Sequence, residues 1–262
     1  PGNGARRNHT LDRSGIRGGQ NLTNIAPALT VVIPVYNEAD NILRTLTELE
    51  KNLFDTCTVL IVYDFPEDNT LPALQGYESE ILTLKPTLNT YGKGAVNAIR
   101  FGLDHARTEA ILVVMGDLSD DLSVLPAMLK EVEAGAGVVC GSRYMKGGKQ
   151  IGGPWFKKLL SRTAGVSLRY LVGFPTHDVT NSFKMYTRQV LDFITIESRG
   201  GFEIGMEIVI KAWINGFKVA EVPATWRDRE AGDSNFRLCA WLPCYLRWYF
   251  VAIHFKLRSL MS

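Results

Sequence analysis

The chain has 262 residues, 46% of them apolar and 21% charged, with 29 Lys+Arg against 27 Asp+Glu. That length is enough for one large domain or two small ones with a substantial core, and the near-average composition excludes a collagen-like, coiled-coil or wholly disordered chain. A net charge of +2 gives no reason to expect nucleic acid as a partner.

Residues 1–28 are polar, Gly-rich and basic, with Arg6, Arg7, Arg13 and Arg17 against Asp12 and no apolar period. They are expected to form a disordered arm. From Thr30 the pattern becomes regular. Apolar runs at 30–35, 58–62, 81–84, 110–115 and 137–140 predict strands. Helical spacing predicts helices over 42–53, 92–106 and 122–134. Strands that are apolar throughout, alternating with helices, imply an α/β domain with a parallel sheet covered on both faces. The second half is less regular, with a basic amphipathic helix at 154–172, strands at 183–186 and 218–222, and a helix at 203–214.

Ligands of such sheets bind at the carboxyl ends of the strands. There the sequence places Tyr36 and Glu38 after one strand, Asp64 and Asp68 after another, and Asp117, Asp120 and Asp121 after a third. Asp68-Asn69-Thr70 reads as a capping turn. Gly92-Lys93-Gly94 lacks the context of a dinucleotide fingerprint, and no Walker lysine, nucleophile elbow or metal-spaced histidine set is present. Successive strand-end carboxylates suit a nucleoside diphosphate with a divalent cation, which takes carboxylate and phosphate oxygens. The four cysteines (Cys57, Cys140, Cys239, Cys244) show neither disulfide nor zinc spacing, so reduced thiols and a cytosol-facing location are expected.

Six segments in order resemble family 2 glycosyltransferases. They are Val31-Val32-Ile33-Pro34-Val35-Tyr36-Asn37-Glu38, Val62-Tyr63-Asp64-Phe65-Pro66-Glu67-Asp68-Asn69-Thr70, Tyr91-Gly92-Lys93-Gly94-Ala95, Met115-Gly116-Asp117, Gly141-Ser142-Arg143-Tyr144 and Glu221-Val222-Pro223. Two more stretches, from His177-Asp178 to Tyr186 and from Arg229 to Ser234, resemble the polyprenyl-phosphate branch of that family. The resemblance implies a GT-A fold, Rossmann-like with a mostly parallel sheet, over 29–236. It implies inverting transfer of a sugar from a nucleotide sugar, such as GDP-mannose or UDP-glucose, to a polyprenyl phosphate, with Mg2+ or Mn2+ as cofactor.

It further implies donor binding by Pro34, Tyr36, Glu38, Val62, Asp64, Lys93, Gly116, Asp117, Arg229 and Ser234, with Asp117 holding the metal. Acceptor-phosphate contacts fall on Arg143 and Arg162, and catalytic acids on Asp117, Asp120 and Asp178. The chain departs from the pattern at Met115, where the family has the first Asp of its metal pair, at Tyr63, and at Asn235 in place of a lysine. A thioether is a poor ligand for hard cations; Asp120 is the residue placed to compensate.

Some readings stay open on the residues alone. Arg143 serves either a phosphate or a neighbouring acid. Of the i,i+4 pair Glu203 and Glu207, the family context favours Glu207 for the site and leaves Glu203 solvated. His177 reads as a packed or hydrogen-bonded neighbour of Asp178 and not as a metal ligand. The basic, aromatic tail 237–262 fits core, a homo-oligomer surface or a membrane-interface helix, the last placing the protein on the cytoplasmic face of a membrane. Two other functions stand beside the first: a glycosyltransferase with a saccharide hydroxyl acceptor, with Asp120 or Asp178 as base, and a silent nucleotide-sugar-binding protein.

Overall fold

The computed structural model describes residues 28–228 and 238–261. The expected basic arm (1–28) lies outside them but for its last residue, as do Arg229, Ser234 and Asn235. In chain order the elements are β1 (Leu29–Pro34), α1 (Ile42–Lys51), β2 (Cys57–Tyr63), α2 (Thr70–Ala73), β3 (Leu82–Leu88), α3 (Ala95–His105) and β4 (Ala110–Val113). A 3-10 turn (Leu122–Val124) follows, then α4 (Leu125–Glu133), β5 (Val138–Ser142), β6 (Lys149–Ile151) and α5 (Trp155–Val172). The remainder is β7 (Lys184–Thr187), α6 (Arg188–Phe193), α7 (Ile204–Ile214), β8 (Val219–Pro223), β9 (Thr225–Arg227) and α8 (Leu238–Met261).

Seven strands form one sheet in the order β3-β2-β1-β4-β7-β5-β8. All neighbouring pairs are parallel except those of β7, which runs antiparallel to both β4 and β5. Successive side chains of a strand point to opposite faces, and both faces are apolar here. Val31, Ile33, Val59 and Ile61 pack with Leu46 and Leu49 of α1 and with Met128 of α4. Val32, Leu60, Val62 and Ile111 pack with Ile99 and Leu103 of α3 and with the core that continues to α7 and α8. That double covering explains the unbroken apolar runs. Gly102 lets α3 press on β1: a Cβ there would lie 2.2 Å from a methyl of Val32.

From β1 the chain builds outward through β2 to β3, then returns to place β4 on the other flank of β1. This reversal opens a crevice outside the carboxyl ends of β1 and β4, the usual ligand position of open α/β sheets. β6 and β9 form a separate two-stranded parallel ribbon. These two strands, and the short helices α2 and α6, have too few residues to carry a detectable period.

The tail is one helix with two faces. Trp248 and Ala252 are buried, and Tyr245, Tyr249 and Ile253 pack on the core. The Tyr249 and Ser167 hydroxyls, 2.9 Å apart, tie α8 to α5. Leu246, Phe250, Leu257 and Leu260 stay exposed. No helix among the described residues is long and apolar enough to cross a membrane.

Candidate active site

The loop after β1 is stitched to the loop after β2. Asn37, at φ +57°, donates its amide to Asp68 Oδ2 (3.1 Å) and accepts from the Asn69 amide at its Oδ1 (3.2 Å). The amides of Glu38 and Ala39 donate to Thr70 Oγ1 (2.9 Å) and Asn69 Oδ1 (3.1 Å). Asp68 also accepts from the Thr70 amide (2.9 Å) and is fully buried, so it is the capping residue its sequence context suggests. Pro34 and Val62 lie side by side in register, and Tyr36 stands 55% exposed above them, edge-on to Phe65 at 5.5 Å. Lys93 Nζ also lies over the Phe65 ring, 5.7 Å from its centroid.

Asp64 orders the next loop. Its Oδ1 accepts from Asn89 Nδ2 (2.8 Å) and its Oδ2 from the Gly94 amide (2.7 Å), pinning the glycine-flanked Lys93 at the head of α3. Gly92 and Gly94 have φ of +101° and +112°, which accounts for both glycines.

The acidic turn closes the crevice. Gly116 backs onto β1, so that a Cβ there would meet Glu38 Cγ, Ile33 and Val35 at 3.5 Å. Its carbonyl accepts from Thr45 Oγ1 (3.1 Å). Asp117 is buried, with Oδ1 accepting from the Ser119 amide (3.1 Å), and Leu118 between them is held at φ +61°. Asp120 Oδ2 accepts from the Met115 amide (3.0 Å). Burial pushes its carboxyl up to about 7; the Asp117 charge adds to this, while the Met115 amide, Arg143 and Lys184 oppose it.

No group of three or more His, Cys, Asp or Glu residues converges among the described residues. The donor set present is the Asp117 carboxylate, with Asp120 turned to the backbone and a thioether at Met115. That set fits a hard cation that draws its remaining ligands from a bound diphosphate and water, the ordinary arrangement for Mg2+.

Beyond the turn lies a cavity of about 380 Å³ whose lining includes Arg143, Lys149, Lys158 and Arg162. Arg143 is fixed from behind. Its Nε donates to Asp178 Oδ2 (2.6 Å), its Nη2 to Asp178 Oδ1 (2.8 Å) and to Thr180 Oγ1 (3.1 Å), and its own amide to Asp178 Oδ2 (3.0 Å). Burial opposes charge on both partners, but their mutual attraction wins. The Arg143 pKa rises further above its ordinary value, and Asp178 is held below the usual carboxylate range.

Asp178 also accepts from the Asn181 amide (3.2 Å) and is fully buried. Its oxygens are thus engaged in holding Arg143. Of the two readings left open for Arg143, the pairing with an acid is present, and the same residue lines the cavity. The neighbouring Tyr144 hydroxyl meets Gln150 Oε1 (2.8 Å) on β6 and Ser161 Oγ on α5.

Lys149, Lys158 and Gln150 were not singled out as site residues by the sequence. Lys158 lay on a recognisably basic helix, but β6 gave no signal. Glu203 and Glu207 differ from expectation. Both are buried, and each clamps the 197–201 loop. Glu203 accepts from the amides of Gly200 (2.7 Å) and Gly201 (2.5 Å), Glu207 from those of Glu197 (2.6 Å) and Ser198 (2.7 Å). Glu203 is therefore not solvated, and Glu207, paired with Lys211 at 2.7 Å, is structural. His177 pairs with Glu221 (2.6 Å) instead of Asp178.

Residues 30–195 match the family described as Glycosyl transferase family 2. The chain belongs to that family. The matched span holds β1 to β7 and every acid of the crevice. The glycosyltransferase is 32% identical over 212 residues to a polyprenol monophosphomannose synthase of Mycolicibacterium smegmatis, covering 78% of this chain and 79% of that protein. It is 29% identical to a dolichol-phosphate mannosyltransferase of Pyrococcus furiosus, covering 80% of this chain but 59% of that one.

Among solved structures it superposes on glucosyl-3-phosphoglycerate synthase from Mycobacterium tuberculosis bound to UDP. The TM-score is 0.62 at 15% identity, covering 87% of this chain and 80% of that one. Another structure of that protein contains Mn2+ with UDP (TM-score 0.59, 16% identity, 87% of this chain and 78% of that one). At such identity the likeness establishes the GT-A fold.

Proposed function

We propose that this glycosyltransferase passes a sugar, with inversion, from a nucleotide sugar to a polyprenyl phosphate presented at a membrane surface. The observation that carries this reading is the cavity in which Arg143, locked by Asp178, joins Lys149, Lys158 and Arg162. A guanidinium fixed by Asp178 and joined by three further cations suits a phosphate acceptor and serves a neutral saccharide hydroxyl poorly. The relatives named above, one a polyprenol monophosphomannose synthase and one a dolichol-phosphate mannosyltransferase, support the same choice.

The donor base and ribose lie over Pro34, Tyr36, Val62 and Asp64, with Glu38 and Gly116 forming the crevice wall and Lys93 near the phosphates. Arg229 and Ser234 are assigned to the donor by the family pattern. Asp117 is the residue that would hold a divalent cation, which would neutralise charge on the leaving diphosphate. An acceptor phosphate oxygen attacks the anomeric carbon from the face opposite the leaving nucleoside diphosphate. The C1–O bond to the nucleoside diphosphate breaks, and its electron pair leaves on the diphosphate oxygen. The second pKa of a phosphate monoester is about 6, so the nucleophile is already anionic and needs no strong base, in keeping with an Asp178 given over to Arg143.

The exposed Trp155, Phe156, Leu159 and Leu160 of α5 adjoin the cavity residues Lys158 and Arg162 on the same helix. These exposed α5 residues, and on α8 the exposed Leu246, Phe250, Leu257 and Leu260, are apolar side chains suited to the headgroup zone.

Acceptor kinetics test both halves of the proposal. Arg162→Glu is expected to raise KM by about tenfold or more for a short-chain polyprenyl phosphate in solution and for a long-chain one in vesicles, since removing a charged contact costs roughly 1.5–3 kcal/mol. Phe250→Asp is expected to raise only the vesicle KM. Unchanged KM values for Arg162→Glu would move the acceptor elsewhere, and an unchanged vesicle KM for Phe250→Asp would remove α8 from the membrane contact.

A further inference from the structure

The acidic turn and the cationic cavity are joined through one short strand, and the geometry points to Asp121 as the positioning residue that sets their spacing. The amides of alternate strand residues point to opposite sides, and β9 uses its two edges accordingly. The Thr225 amide donates to Asp121 Oδ2 (3.0 Å) and the Arg227 amide to the Ser119 carbonyl (3.0 Å), so one edge is bonded to the acidic turn. On the other edge the Asp228 amide donates to the Ile151 carbonyl (3.0 Å) and the Ala224 carbonyl accepts from the Lys149 amide (3.1 Å), both on β6.

β6 is a wall of the cavity, contributing Lys149, Gln150 and Ile151, and Gln150 continues through the Tyr144 hydroxyl to Ser161 on α5. A continuous path of hydrogen bonds thus runs from the turn that carries Asp117 to the helix that carries Lys158 and Arg162. In the seam between turn and β9, the Arg227–Ser119 bond is backbone to backbone, whereas the Asp121 carboxylate is a side chain anchored at its other oxygen by Ser123 Oγ (2.5 Å).

The consequence for catalysis is geometric and rests on the donor and acceptor assignments proposed above. Reaction requires the attacking oxygen within about 3–3.5 Å of the anomeric carbon, and a misplacement of about 1 Å costs on the order of a hundredfold. Donor and acceptor are held by separate parts of the chain, and the β9 seam determines how far apart they sit. Asp121 touches neither ligand. It acts through Thr225, β9 and β6.

The test compares Asp121→Ala, which deletes the acceptor of the Thr225 amide, with Asp121→Asn, whose side-chain carbonyl still accepts it. Thr225→Pro removes the amide donor and leaves Asp121 in place, so it reaches the same seam without altering the turn's charge. For each variant the affinity for a nucleoside diphosphate with Mn2+ is measured by calorimetry, alongside kcat and KM for a short-chain polyprenyl phosphate and a melting curve.

Asp121→Ala and Thr225→Pro are expected to lower kcat/KM for the acceptor about 10- to 100-fold while nucleoside diphosphate affinity stays within about twofold. Asp121→Asn is expected to recover most of the loss. Unchanged acceptor kinetics in the Ala variant, a parallel fall of donor affinity, or an Asn variant no better than Ala would each overturn the assignment. Failure of the wild-type protein to transfer sugar to polyprenyl phosphate would refute the acceptor assignment and this inference with it; failure of the spacing role alone shows only in the variants.

Discussion

Asp178→Asn is expected to cost both transfer and stability, and to do so with a characteristic pH dependence. The substitution preserves shape but leaves the buried Arg143 guanidinium without its counter-charge, and removing one partner of a buried pair costs about 3–5 kcal/mol. The wild-type pair stabilises the fold at pH values above the ordinary carboxylate pKa of about 3.9, because the folded-state value of Asp178 lies lower still. That contribution is lost as pH falls through the depressed value. Melting curves should therefore show an acid-side decline in the wild type that is weaker in the variant.

With Arg143 released from its clamp, acceptor kcat/KM is expected to drop by about 10²–10³, the scale of losing one preorganised charge-stabilising donor. Arg143→Lys should resemble it in activity, since an ammonium cannot reproduce the two-donor contact that Nε and Nη2 make with Asp178 and so leaves the cation loosely placed. Wild-type kinetics in either variant would remove this pair from the mechanism.

Asp117→Asn has the second large expected effect. The amide oxygen can still accept from the Ser119 amide, so the turn at Leu118 keeps its conformation and the melting temperature should barely move. The charge for the cation is lost. Calorimetry with a nucleoside diphosphate should show the Mn2+-dependent part of the affinity fall at least a hundredfold, about 2.8 kcal/mol. Because Met115 supplies no second carboxylate, this dependence is expected to be steeper here than in a site that shares the cation between two acids. Equal Mn2+ dependence in variant and wild type would place the cation elsewhere.

How far the sequence could be read follows from how many residues each feature needs. Four of the five strands of the first half announced themselves because they are buried on both faces, so that Val31, Val32 and Ile33 are all apolar for different partners; β3, at the sheet edge, is mostly exposed beyond Leu82 and showed only its apolar start. The crevice acids were legible because a strand end in a parallel sheet has no packing reason to carry an acid. The antiparallel direction of β7 was not legible. Residues 184–187 carry no periodic sign of strand sense, and the direction follows from where the long α5 excursion returns.

The cationic cavity was half legible. Arg143 lay in a recognisable motif and Arg162 on a basic helix, but Lys149 enters through a three-residue strand that exists only because β9 pairs with it. The same ribbon gives Asp121 its partner, 104 positions away in sequence. Glu203 and Glu207 show the opposite case. Their spacing looked like chemistry, yet four backbone amides of the 197–201 loop account for both.

The proposed transfer depends on a phosphate in the Arg143 cavity attacking a sugar held over the β1–β4 crevice. It is tested most directly by incubating the protein and Mn2+ with a panel of labelled nucleotide sugars and a short-chain polyprenyl phosphate, then determining the product's anomeric configuration. The predicted result is a single sugar joined to the phosphate with configuration inverted relative to the donor. A retained configuration, or transfer to saccharide hydroxyls with none to polyprenyl phosphate, would contradict it.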